Sequence, residues 1–225
     1  MRRLVKLVLV AVVVVVVAGG AALYWFVIRS DAKPRAHIVQ TKVHAGGALD
    51  GTWTLHPSDG RSFVGYRVQE QFAAATIEST ATGRTSEVQG TLRVTGTAVD
   101  DVTVTANLAT LKSDKSLRDQ RLHTLGIETD RFPDAKFTSS GPIRLAKVPA
   151  EGETVDATAV GDLTLHGVTR HVSMPVQGRW DGQAVQVVGH LPVTFSDYRI
   201  DPPNIGGFTS VRDHGELELQ LFFTR

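Results

Sequence analysis

The sequence predicts an all-β domain behind one apolar helix, and three observations carry that prediction. From Gly51 onward, short stretches rich in Val, Thr and Leu alternate apolar with polar residues. Gly, Asp, Asn and Pro separate these stretches, as they do between the strands of hairpins. Ahead of them runs a series of 22 uncharged, mostly apolar residues, from Leu7 to Ile28.

That run comes first in the chain and sets where the rest operates. As a helix it would be roughly 33 Å long, enough to cross the hydrocarbon core of a bilayer. Arg2, Arg3 and Lys6 precede it, and Arg29, Lys33 and Arg35 follow. Tyr24, Trp25 and Phe26 stand at its far end, where amphipathic rings favour the membrane–water boundary. The expectation is residues 1–28 as basic flank and single-pass transmembrane anchor, with the C-terminal domain extracytoplasmic. The alternative is a signal peptide cut near Gly20-Ala21-Ala22, giving a secreted protein. Residues 29–50 hold Pro34 and the Gly46-Gly47 pair with little apolar periodicity, and read as a flexible linker.

The domain proper is expected over 51–225. Val102, Val104, Ala106 and Leu108 alternate with polar neighbours, so one face of that strand is dry and the other wet. Ser116-Leu117-Arg118-Asp119 fits a capping box and starts the one short helix, which Gly126 would stop. Leu163 and Leu165 alternate with polar residues before a turn at His166-Gly167, as do Val172, Met174 and Val176 after it. Val185, Val187, Gly189, Leu191, Val193 and Phe195 form the longest alternation, and Leu217, Leu219 and Leu221 close the series. About eight strands with one dry face each make either a sandwich or a closed antiparallel barrel, and the long 185–195 stretch leans toward a barrel.

Composition excludes several functions. Residues 36–225 carry 18 basic and 22 acidic residues, a poor surface for nucleic acid. With no Cys there is no disulfide, thiolate metal site or Cys nucleophile. No nucleophile elbow, zinc-binding His-Glu-x-x-His, P-loop or dinucleotide fingerprint occurs, so no catalytic or metal-ligating residue is assigned and no enzyme is expected. His166 and His171 read as solvent-facing turn residues, and His123 and His190 as polar-face residues. The oligomeric state is not legible.

Several stretches resemble the YceI family. They are Gly51–His56 with Ser62–Val68, Arg118–His123, Thr129–Ser139 with its Phe-Pro-x-x-x-Phe-x-Ser pattern, Gly161–Val172 with Gly-x-Leu-Thr-Leu-x-Gly-Val-Thr, Phe195–Ile200 and Glu216–Phe223. The resemblance implies a lipocalin-like barrel that takes a polyisoprenoid or similar lipid into an apolar lumen and needs no cofactor. The lumen candidates are Val102, Val104, Ala106, Phe132, Phe137, Leu163, Leu165, Met174, Val187, Gly189, Leu191, Val193 and Phe195. Arg118 and Arg121, one helical turn apart, are the candidates for an anionic head group. The rival is a membrane-tethered interaction or envelope-stress module whose lumen its own side chains fill.

Overall fold

The computed structural model describes residues 12–21, 25, 30–72, 77–205 and 209–225, without the side chains of residues 72, 77, 204, 205 and 209. Residues 12–21 are helical, and among the described residues no helix is long and apolar enough to cross a membrane. Apart from these residues and Trp25, the expected span 7–28 lies outside the described residues.

The domain is all-β and antiparallel. Its strands are β1 (Gly51–Leu55), β2 (Phe63–Phe72), β3 (Ile77–Thr85), β4 (Val88–Thr95), β5 (Ala98–Asn107), β6 (Lys112–Ser113), β7 (Asp134–Ser139), β8 (Ile143–Arg144), β9 (Thr154–Leu165), β10 (Val168–Trp180), β11 (Val185–Thr194), β12 (Asn204–Ile205) and β13 (Thr209–Phe223). They form a single sheet in the order β1-β4-β5-β7-β9-β10-β11-β13-β2-β3-β6, with β8 on β5 and β12 on β13. The sheet curls back on itself. Thr54 in β1 and Thr224, just after β13, exchange two backbone hydrogen bonds of 2.8 Å.

Thirteen segments exceed the expected eight because corners break long strand paths. β1 pairs with β4 and β2 with β3, so β1–β2 and β3–β4 are two bent ribbons lying side by side. The first corner is a tight loop in which Asp59 Oδ1 accepts from the Arg61 and Ser62 N–H groups at 2.8 and 2.6 Å. The strands β6, β8 and β12 are two residues each.

Alternation is realised as expected on the inner face. Val102, Val104 and Ala106 of β5 and Leu163 and Leu165 of β9 are buried in one core cluster. Gly83 stands opposite Tyr66 in register, and a Cβ there would sit 2.4 Å from the Tyr66 ring. The β9–β10 turn is the expected one. His166 and Gly167 have φ of +50° and +70°, the pairing of a two-residue hairpin whose twist matches its strands.

Three local expectations are corrected. The helix is Ser116–Thr124 with Lys115, not Ser116, as its N-cap, and Asp119 reaches back to Ser113 Oγ at 2.6 Å rather than to Ser116. The Lys115 side chain makes no capping bond, and Ser113 Oγ accepts the Lys115 N–H at 3.1 Å while donating to Asp119. His166 is buried, not solvent-facing. Its ring lies 3.1 Å from the Tyr198 carbonyl and 2.9 Å from Glu128 Oε2, so it ties three loops together. The alternating signal placed its backbone at a turn but could not show which loops would close over it.

The third correction concerns the expected linker. Residues 30–50 have no strand or helix, yet they lie as a strap along the outer face of the sheet. Asp31 N–H donates to Asp114 (2.8 Å), Lys33 N–H to Thr82 Oγ1 (3.0 Å) and Val39 N–H to Gln186 Oε1 (3.0 Å). Arg67 and Arg84 donate to the carbonyls of Lys33 and Pro34. Farther on, Thr41 Oγ1 donates to Asp181 Oδ2 (2.6 Å), Arg179 holds Thr41, and His44 N–H donates to the Asp181 carbonyl (2.7 Å). The strap explains why the outward-facing Gln186, Val188 and Glu218 are buried.

Three carboxylates at the strap have lowered pKa values. Burial opposes the charge of Asp114 and Asp181, but hydrogen bonds outweigh it: Asp31 N–H and Arg118 at the first, Thr41 and the Ala184 N–H at the second. Both lie below the ordinary aspartate value of 3.8. The hydrogen bond from Arg35 holds Glu216 below its ordinary 4.5. Groups with depressed folded-state values contribute stability that is complete above the unfolded values and lost as pH falls through the folded ones. Acidification below about pH 4 is therefore expected to release the strap before the sheet. Hydrogen exchange, corrected for intrinsic rates, should show protection at Lys33, Val39 and His44 lost before that at Val187. Simultaneous loss would contradict this.

Candidate functional site

The site is the interior of the curled sheet. A cavity of about 270 Å³ lies there. Residues from β2, β4, β5, β7, β9, β10, β11 and β13 line it, with Leu122 and Ile127 from the helix and the loop after it. A volume that small, touching side chains along the whole length of the sheet, describes a narrow tunnel and not a compact pocket. It is just under the usual range of about 300–1,000 Å³ for small-molecule sites. Its walls are almost wholly apolar.

Most of the lumen candidates are on this wall. Val102, Val104, Ala106, Phe137, Leu163, Leu165, Met174, Val187, Leu191 and Phe195 all line the cavity. Three do not. Phe132 packs outside the tunnel on the β9–β10 turn, its ring 4.3 Å edge-on from His166 and against Gly167. Gly189 points inward, but Met174, Val176 and Leu219 close over it, so that a Cβ would sit 3.1–3.4 Å from them. Val193 is buried in the core cluster without reaching the cavity. Sequence reasoning missed Tyr66, Glu70 and Trp180, which also line it. Their signal was present in the alternation of β2 and β10, but β2 carries Gly65 and Arg67 among its apolar residues and reads ambiguously.

Polar side chains stand at both ends of this wall. Glu70 lies across from Val211 near the start of β13, whereas Trp180 pairs with Val185, itself opposite Phe223 at the end of β13. At the helix end, Arg118 makes two hydrogen bonds to Glu70 (3.0 and 2.9 Å) and one to Asp114 (2.6 Å). Burial opposes the Arg118 charge, but the Glu70 hydrogen bond outweighs it and holds the guanidinium pKa above its ordinary value. Arg118 is thus already neutralised, which weakens it as a head-group cation. Arg121 lies off the cavity wall, half-buried.

Among the described residues, two buried donors facing this wall find no partner: Tyr66 Oη and Trp180 Nε1. Buried Tyr and Trp donors ordinarily find one. Burial pushes the Tyr66 phenol pKa up, so it remains a neutral O–H donor. Outside the lumen, His190, Glu216 and Glu218 have metal-like spacing, but Arg35 and Arg84 already pair with the two carboxylates.

Comparison with known proteins agrees with this architecture. The model of the YceI-like domain family matches residues 53–223. The protein YceI of Shigella flexneri is 27% identical over 165 residues, covering 69% of this chain and 80% of that relative. Among solved structures, a polyisoprenoid binding domain from Saccharophagus degradans, implicated in plant cell wall breakdown, superposes with a TM-score of 0.59 at 16% identity. It covers 78% of this chain and 98% of that one. BcnA of Burkholderia cenocepacia superposes with a TM-score of 0.50 at 18% identity, covering 70% and 95%.

Proposed function

Because this chain belongs to the family of YceI-like domains, we propose that it binds a polyisoprenoid or similar lipid in its apolar lumen and so carries, buffers or shields it at the cell envelope. The observation that carries this reading is the narrow apolar tunnel of about 270 Å³. Its shape suits a chain, and its walls offer a hydrocarbon nothing but burial. Each methylene buried is worth about 0.8 kcal/mol, so roughly ten would supply about 8 kcal/mol, the free energy of a micromolar complex. Either unpartnered donor, Tyr66 Oη or Trp180 Nε1, would be satisfied by a ligand oxygen, whereas a sealed hydrocarbon core leaves both unpaired. The protein on this reading is a binder and not a catalyst.

The run 7–28 is proposed to hold the domain at a membrane as a single-pass anchor, with the domain on the extracytoplasmic side. Its length, lack of charge and basic flanks support that. The rival, an interaction module with a filled barrel, needs a lumen without a cavity, and the tunnel counts against it.

Mass spectrometry of an organic extract of the purified chain is expected to reveal a co-purifying prenyl lipid, or else stoichiometric uptake of an added one. An empty extract together with no uptake would overturn the proposal.

A further inference from the structure

The strap has a consequence for how the domain stands on a membrane. Asp31 N–H is already fixed to Asp114, and Lys115 Nζ donates to the Trp25 carbonyl at 3.4 Å. Asp31 is three positions beyond Ile28, a span of at most about 10 Å. Whatever bilayer receives residues 7–28 therefore lies within that distance of the Asp114–Lys115 corner, at the N-terminus of the helix Ser116–Thr124. The strap then runs down the outer face to Asp181 and Glu151 at the far end, so the barrel cannot swing freely about its attachment.

The helix end is suited to that neighbour. Leu117 and Leu125 are 56% and 50% exposed, and no residue of the helix is buried. Around them stand Lys112, Lys115, Arg118 and Arg121 against Asp114, Asp119 and Glu70, the last bound to Arg118. This local excess of +1 stands in a domain whose residues 36–225 carry −4. Exposed leucines beside cations match the boundary between acyl chains and anionic head groups. At the opposite end, Val148 is just as exposed (54%) but lies in a loop with Glu151 and Glu153.

We infer that the strap sets the domain with its helix end against an anionic lipid bilayer, Leu117 and Leu125 seated at the head-group boundary. This rests on the membrane-anchor reading above. The tunnel wall reaches the same end through Leu122 and Ile127, so a lipid would pass between bilayer and lumen over a short path.

The chain has no Cys, so single-Cys variants report one site each. Full-length Leu117→Cys, Leu125→Cys and Val148→Cys, labelled with an environment-sensitive dye, are to be reconstituted into phosphatidylcholine–phosphatidylglycerol vesicles. Quenching by doxyl-labelled lipid should be about twofold or more at 117 and 125 and absent at 148. A flexible Gly/Ser insert between Arg29 and Ser30 should leave flotation with the vesicles intact and weaken quenching at 117. Failure of the full chain to float overturns the anchor reading and the orientation with it. Flotation with equal quenching at 148, with no quenching at 117 and 125, or with quenching indifferent to the insert overturns the orientation by the strap alone.

Discussion

Replacing Ala106 by Trp is expected to cut lipid retention at least about tenfold while leaving the sheet folded, since overpacking of a core position costs about 1–3 kcal/mol. Ala106 is buried on β5, lines the tunnel, and pairs with another small residue, Ala135, on β7. An indole ring placed there has only the cavity to enter. Met174→Trp makes the same test from β10, for the case in which Ala106→Trp does not fold. Quantifying lipid per folded protein, with circular dichroism as the folding check, separates the two readings. A carrier loses its ligand and keeps its fold. If both variants fold and retain lipid at the native level, the tunnel is not where the lipid resides.

The second large effect is expected at Glu218, with Glu218→Ala destabilising the fold by about 3 kcal/mol. The Glu218 side chain is fully buried although it points to the outside of the sheet. Arg84 donates to its Oε1 from two nitrogens at 3.0 and 2.8 Å, Arg67 lies 3.8 Å from Oε2, and the strap's Ala36 N–H completes the set at 3.3 Å. Removing the carboxylate strands two guanidinium groups that are only 14% and 13% exposed. Breaking a buried pair from one side typically costs about 3–5 kcal/mol, and the slight exposure of the arginines puts this case at the low end. For a domain of this size that is roughly 6–12 °C in Tm. Thermal unfolding measures it, and a loss below 1 °C would show the cluster to be solvated. A chain cut at Gly51 loses every strap bond, so the unit that folds is expected to begin near residue 30.

The fold was legible because its physics is local. Period-two alternation in 102–108, 163–176, 185–195 and 217–221 reports one-sided burial, and each of these became a strand or hairpin wall of the tunnel. The His166-Gly167 turn was readable because few residue pairs accept two positive φ values. What escaped was non-local. Glu218 and Gln186 obey the alternation and still lie buried, because residues more than a hundred positions away cover them. Nothing in residues 30–46 announces that docking, since an extended segment held by its backbone amides and carbonyls needs no hydrophobic period. Phe132 misled for the reverse reason. Its motif marks the strand that follows, and the ring itself serves the outside of a neighbouring turn.

The Thr54–Thr224 pair joins the first strand to the last residues of the domain. During synthesis β1 is made early and has no lasting partner on that side until the last strand of the domain has followed it. Its seam is therefore among the most distant contacts the polypeptide must make, and such contacts form slowly. Through that interval the greasy inner walls stand open, so the newborn domain has its greatest need of a chaperone, or of a hydrocarbon guest, just before it seals.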